Sequence, residues 1–72
     1  MEREYQQFAS RMRERRHRVG MSQEALAKHT GLSRPSIVNI ELGRQRVLPH
    51  YVTAIAAVLG VSDRTAFGWF CR

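Results

Sequence analysis

The sequence is short of the features that most enzymes and secreted proteins require. Its single cysteine, Cys71, stands beside the C-terminus, which excludes an internal disulfide and favours a reducing cytoplasm. No apolar run approaches the roughly 20 residues that span a bilayer, and the arginine-rich N-terminal segment lacks a signal-peptide core. A chain of 72 residues also leaves little room for a deep catalytic pocket. These absences predict one small, soluble, cytoplasmic domain over residues 1–72.

Catalytic and metal-binding patterns are equally scarce. The three histidines, His17, His29 and His50, are far apart in the sequence, and Cys71 has no cysteine partner at metal-ligand spacing. The six acidic residues are dispersed, and no glycine-rich phosphate-binding loop is present. We therefore expect no catalytic residues, no metal and no cofactor.

Positive charge is what the chain has in excess. Twelve Lys and Arg face six Asp and Glu, which gives a formal net charge of +6, and eleven of the twelve cations are arginine. This balance favours a polyanionic partner, nucleic acid before acidic lipid, because the guanidinium fork matches phosphates and guanine edges. General solubility is the alternative explanation. An amphipathic membrane-surface helix at residues 3–18 is disfavoured because its apolar face is narrow and is needed by the core.

Every periodic apolar pattern has helical spacing, so the sequence predicts an all-α fold with five helices. The first helix presents one face at steps of three and four residues: Tyr5, Phe8, Met12, Arg16 and Val19. The fourth begins at Pro49 and carries the stripe Val52, Ile55, Ala56 and Leu59. A short fifth helix begins after the cap Ser62.

The segment 22–42 has the layout of a helix-turn-helix motif. Ser22 caps a short helix with Ala25, Leu26 and Ala27 on its inner side, and Gly31 allows a tight turn. Ser33 then caps the next helix, which Gly43 closes. Four apolar residues are expected to fix the pair to the core: Leu26, Leu32, Ile37 and Ile40.

The run "MSQEALAKHTGLSRPSIVNIELGRQR" followed by "IAAVLGVS" resembles the Cro/C1-type (XRE) helix-turn-helix family. The resemblance implies a compact five-helix, lambda-repressor-like DNA-binding domain, and a transcription regulator that binds a palindromic operator as a homodimer. One departure concerns the basic loop: family members often carry proline about where Val47 stands, whereas this chain has Pro49. The shift affects the path of the loop and the aim of Arg46.

In a helix lying in the major groove, the outward side chains reach base edges. We expect Arg34 to bind guanine and Asn39 to bind adenine, since their side chains can form paired hydrogen bonds there. Pro35 and Val38 can contact a thymine methyl group, although Pro35 also suits a helix start. The resemblance places Gln23 on a phosphate or an outer base; the alternative is an ordinary polar first-turn residue.

Residues that flank the groove helix are expected to contact phosphates. Ser33 and Ser36 can donate hydroxyl hydrogen bonds, while capping alone would explain Ser33. Arg44 and Arg46 follow in a basic loop and would add affinity without reading sequence, unless the loop is merely solvated. Lys28 is interpreted as a surface charge.

By the same resemblance, Arg16 and Glu41 form a buried ion pair that joins the first and third helices. The other arginines of the first helix are expected to form a solvated face, some of them reaching flanking phosphates: Arg11, Arg13, Arg15 and Arg18.

The C-terminal segment 61–72 contains three aromatic residues, Phe67, Trp69 and Phe70, which either close the core or pair two subunits. The resemblance favours the dimer contact. Because no ligand-binding domain accompanies the motif, we expect a small autoregulator, either a restriction-modification controller or a phage-type repressor, encoded by a bacterium or phage. The alternatives are an antitoxin or a protein-interaction module on the same scaffold. The basic residues Arg34, Arg44 and Arg46 argue against the module.

Overall fold

The computed structural model describes residues 3–70, with side chains from Tyr5 onward; Cys71 lies outside the described residues. Within them the chain forms five helices and no strand. The helices are α1 (Arg3–Arg18), α2 (Gln23–Thr30), α3 (Arg34–Glu41), α4 (Pro49–Leu59) and α5 (Asp63–Gly68). The predicted all-α, five-helix fold is therefore confirmed.

Serine caps begin three of the helices, as the sequence predicted. The Ser22 hydroxyl accepts a hydrogen bond from the Ala25 amide at 3.0 Å, and the Ser33 hydroxyl accepts one from the Ser36 amide at 3.2 Å. Ser62 caps α5 in the same way. Each cap satisfies an amide that has no partner inside its own helix. The caps thus define where α2, α3 and α5 start.

The core is built from the apolar faces of all five helices. The large side chains that are at most 2% exposed are Phe8, Met12, Leu26, Ile37, Ile40, Val52, Ile55 and Leu59. Ala27 is also buried where α2 meets its neighbours, and Gly31 makes the turn to α3 with φ +81°. Only glycine adopts that backbone conformation without strain. Packing and turn together hold α3 at a set angle to α2.

On the predicted apolar face of α1, Tyr5 is half-buried and Val19 is exposed. Val19 is 42% exposed, because α1 ends at Arg18 and the chain turns away at Gly20, whose φ is +72°. The prediction that Val19 faces inward assumed that the helix continues through residue 19. Because α1 ends one residue earlier, the Val19 side chain does not face the core.

Two arginines of α1 bind the ends of other helices: Arg13, which is exposed, and Arg15, which is half-buried. Arg13 Nη1 donates to the backbone carbonyl of Glu41 at 2.8 Å, and Arg15 Nε donates to the carbonyl of Leu59 at 2.9 Å. The last carbonyls of a helix lack partners in the helix and carry partial negative charge, so cations stabilise them. These contacts correct the interpretation of Arg15 as part of a solvated face, give the exposed Arg13 a partner that was not predicted, and tie α1 to the ends of α3 and α4.

Candidate nucleic-acid interface

The four predicted base-contacting side chains lie together on the outer face of α3. Arg34, Pro35, Val38 and Asn39 line one shallow depression, with Arg34 and Pro35 exposed and the other two half-buried. We call these four residues the reading face. The opposite side of α3 carries Ile37 and Ile40, which are buried in the core. The helical period therefore divides α3 into a core side and an accessible side.

A buried ion pair fixes α3 to α1. Arg16 Nε donates to Glu41 Oε2 at 2.6 Å, and Arg16 Nη2 donates to Glu41 Oε1 at 3.0 Å. Arg16 Nη1 also donates to the Met21 carbonyl at 2.9 Å. The two charged side chains are 9% and 2% exposed. This paired geometry lets a planar guanidinium hold the α3 carboxylate in one orientation.

Gln23 belongs to the same network. Its Nε2 donates to Glu41 Oε1 at 3.1 Å, so the amide at the start of α2 is held by the carboxylate at the end of α3. Gln23 also lines a depression beside Arg34, together with Ser22 and Glu24. This bond was not predictable from the sequence, because residues 18 positions apart in the chain give no local signal.

Ser33 and Ser36 are in direct contact at the start of α3. The Ser33 hydroxyl donates to Ser36 Oγ at 3.0 Å while accepting the Ser36 amide. Ser33 is exposed and Ser36 is half-buried. As the acceptor in this contact, Ser36 keeps its own hydroxyl hydrogen for another partner.

The two arginines of the basic loop differ in their surroundings. Both are exposed, but Arg46 Cζ also lies 5.6 Å from the centre of the Tyr5 ring, in a cation–π contact. The sequence indicated Tyr5 only as one of the residues on the apolar face of the first helix. No local pattern marks a contact between residues so far apart in the chain.

Two of the three C-terminal aromatic residues pack inside the chain. The Phe70 ring stacks on Phe8 with centroids 4.4 Å apart and an interplanar angle of 11°, and Trp69 lies 5.7 Å from Phe8. Phe67 is 40% exposed. Trp69 and Phe70 thus pack against the core while each stays half-buried, and Phe67 is the exposed member of the three.

Residues 3–70 contain neither a candidate metal site nor a membrane-spanning helix. Their histidines and acids form no group of three that could hold a metal ion. None of their helices has the length and apolar character needed to cross a membrane.

A family model described as a helix-turn-helix domain matches residues 7–67. Among solved structures, the restriction-modification controller protein C.AhdI from Aeromonas hydrophila is 32% identical, with a TM-score of 0.82. The match covers 86% of this chain and 94% of that chain. A comparison with curated proteins found no match.

Two other solved structures share the fold. The HTH_3 family transcriptional regulator from Vibrio cholerae is 30% identical, with a TM-score of 0.79, over 89% of this chain and 35% of that chain. The clp gene regulator ClgR from Corynebacterium glutamicum is 19% identical, with a TM-score of 0.86, over 93% of this chain and 71% of that chain. At this identity the likeness shows the fold alone. The family model matches residues 7–67, and this region has the helix-turn-helix geometry described above. The chain therefore belongs to the XRE-type (Cro/C1-type) family of helix-turn-helix DNA-binding regulators.

Proposed function

We propose that this protein is a sequence-specific regulator that binds a palindromic double-stranded DNA operator as a homodimer. The observation that carries the proposal is the reading face, which groups an arginine, an asparagine and two apolar side chains on one accessible side of α3. The major groove of B-DNA, about 12 Å wide, admits a helix that presents such side chains to the base edges.

Each member of the reading face suits a particular base edge. The Arg34 guanidinium can donate two hydrogen bonds to O6 and N7 of guanine, and the Asn39 amide can pair with N6 and N7 of adenine. Pro35 and Val38 offer apolar contact to a thymine methyl group. Each good paired contact discriminates against the wrong base by about 1–3 kcal/mol.

Residues around the reading face are proposed to bind phosphates. Ser36 can donate its hydroxyl hydrogen to a phosphate, because it accepts the hydrogen bond from the neighbouring cap Ser33. Gln23 keeps a second amide hydrogen for a phosphate or an outer base while Glu41 holds the first. Arg44 and Arg46 add electrostatic affinity from the loop that follows α3. These contacts would set the position of α3 in the groove without reading sequence.

The proposed dimer contact centres on the exposed side chain of Phe67. It is 40% exposed and lines a depression with Pro49 and Val52 of α4. The half-buried Trp69 and Phe70, which pack against the core, would adjoin this surface. A domain of 27 × 24 × 22 Å allows two neighbouring copies to place their α3 helices one DNA turn, about 34 Å, apart.

The regulator class is proposed from the comparison with C.AhdI, a restriction-modification controller at 32% identity over nearly the whole length of both chains. A small autoregulator of this kind, acting in the bacterial cytoplasm, is favoured over a phage-type repressor. We propose no catalytic role. An antitoxin or a protein-interaction module remains the alternative outcome of the test below.

The deciding experiment titrates the protein against DNA from its own upstream region and against unrelated DNA of equal length, at two salt concentrations. We expect a preference for the upstream region that persists at the higher salt concentration, because base contacts depend less on counterion release than phosphate contacts do. Arg34→Ala should reduce that preference. Arg64→Ala, which removes an equally exposed charge on α5, is the matched control and should preserve it.

Equal, salt-sensitive binding to both DNAs would contradict sequence-specific recognition of this operator. No binding to either would instead favour the protein-interaction module. The dimer is tested separately by sedimentation: Phe67→Ser should shift the protein toward monomer, and an unchanged molecular mass would refute the proposed contact surface.

A further inference from the structure

The loop of residues 42–48, which follows α3, rests on the first turns of α1. Gly43 has φ +72°, and a Cβ built there would lie 3.1 Å from Gln6 Cγ and 3.4 Å from Gln6 Cα. The loop backbone therefore lies close to the start of α1, and a side chain at position 43 would require the Gln6 side chain to shift by a few tenths of an ångström. Three residues farther along, the Arg46 guanidinium lies over the Tyr5 ring at 5.6 Å.

Tyr5 also touches the C-terminal aromatic residues. Its ring meets Phe70 edge to face, with centroids 5.5 Å apart and an interplanar angle of 78°. Phe70 in turn stacks on the buried Phe8. A continuous series of contacts thus runs from the Arg46 guanidinium through the Tyr5 and Phe70 rings to the core.

The contact between the Arg46 guanidinium and the Tyr5 ring affects how Arg46 can bind phosphate. An aromatic ring attracts a cation through its quadrupole and does not need the cation's N–H donors. Guanidinium donors can therefore bind phosphate oxygens while the ring restrains the side chain. A side chain that is already restrained loses less conformational freedom on binding, so the restraint strengthens the phosphate contact.

We propose that Tyr5 is a positioning residue for the binding of the DNA phosphate backbone by the loop 42–48. It acts through Arg46. Its contact with Phe70 makes the strength of that binding depend on the packing of the C-terminal aromatic residues. The inference rests on the proposed function, because it presupposes that the loop meets a DNA backbone.

The test compares Tyr5→Leu with the conservative variant Tyr5→Phe in titrations with duplex DNA over a range of salt concentrations. Tyr5→Leu removes the ring and should weaken binding about two- to ten-fold, the change that corresponds to the conformational freedom that one more side chain loses on binding. The slope of log affinity against log salt should fall by up to about 0.9, the value for one phosphate contact. Tyr5→Phe keeps the ring and should preserve both quantities.

A double-mutant cycle separates positioning from a general structural effect. In an Arg46→Gln background, Tyr5→Leu should cause no further loss of affinity or slope, because the side chain through which it acts is gone. Phe70→Leu should change binding in the same direction as Tyr5→Leu. Circular dichroism melting of each variant identifies any that no longer fold.

A second measurement needs neither DNA nor a variant. In the NMR spectrum of the unaltered protein, the Arg46 side-chain protons should be shifted upfield by the ring current of Tyr5. If that shift is absent, the positioning contact does not exist in solution and the inference is overturned, even where Tyr5→Leu fails to fold.

The two proposals fail in different ways. If the unaltered protein binds no duplex DNA, the proposed function is refuted and the inference with it. If the unaltered protein binds DNA but Tyr5→Leu leaves affinity and slope unchanged, or has the same effect in the Arg46→Gln background, only the inference is refuted.

Discussion

Replacing Glu41 with glutamine is expected to destabilise the fold by about 3–5 kcal/mol. The Glu41 carboxylate is the acceptor for two donors of Arg16 and one of Gln23, and its side chain is 2% exposed. The substitution keeps the size of the side chain but leaves the 9% exposed Arg16 charge without its counter-charge. Typical stabilities of about 0.05–0.15 kcal/mol per residue give 72 residues about 4–11 kcal/mol in total, so much of the stability is lost.

The assay is urea or thermal unfolding followed by circular dichroism. For a domain of this size each kcal/mol corresponds to about 4–8 °C, so the midpoint should fall by about 12 °C or more. The double variant Arg16→Met/Glu41→Leu is the matched control. It removes both charges and keeps the volume apolar, and replacements of this kind are often neutral or stabilising.

A loss below about 1 kcal/mol for Glu41→Gln would refute the reasoning, because it would mean that water reaches Arg16 or that its remaining hydrogen bonds compensate the charge. A double variant as unstable as the single one would also contradict it. The penalty would then come from lost packing or lost hydrogen bonds and not from an unpaired buried charge.

Three further sites yield predictions. Gly31→Ala should cost about 1–2 kcal/mol in thermal unfolding, because the φ of +81° strains any side chain while the space around it is open; an unchanged midpoint would contradict the turn geometry. Arg13→Gln should cost about 1 kcal/mol by removing the bond to the end of α3, whereas Arg11→Gln, its control, should change stability by less than about 0.5 kcal/mol. In DNA titrations Arg34→Ala should relax base preference at one position by about 1–3 kcal/mol, whereas Arg44→Ala should weaken all sequences alike and lower the salt slope by about 0.9. Equal effects on all sequences from both variants would rule out base reading by Arg34.

The parts of the fold that depend on neighbours in sequence were predictable from it. The caps Ser22 and Ser33, the turn glycine Gly31 and the stripe containing Ile37 and Ile40 act within one or two helical turns, and all of them occupy the predicted roles. The same spacing placed the reading face on the opposite side of α3, although its contacts with DNA remain a prediction.

Long-range contacts of flexible side chains were not predictable in this way. The sequence assigned Arg13 and Arg15 to a solvated face, yet they bind carbonyls of Glu41 and Leu59, 28 and 44 residues away. An arginine has many rotamers, and its partner is set by which helix end lies within reach. That position is known only once the helices are packed.

The helices, their caps and the inward and outward sides of α3 follow from the sequence alone, because hydrophobic periodicity and capping are local properties of the chain. Three contacts depend instead on how the helices pack: Gln23 is held by Glu41, Arg46 lies over Tyr5, and Trp69 and Phe70 pack on Phe8. Each of these contacts joins separate elements, and its geometry depends on interhelical angles and on the space left by the packed core, which no local pattern specifies.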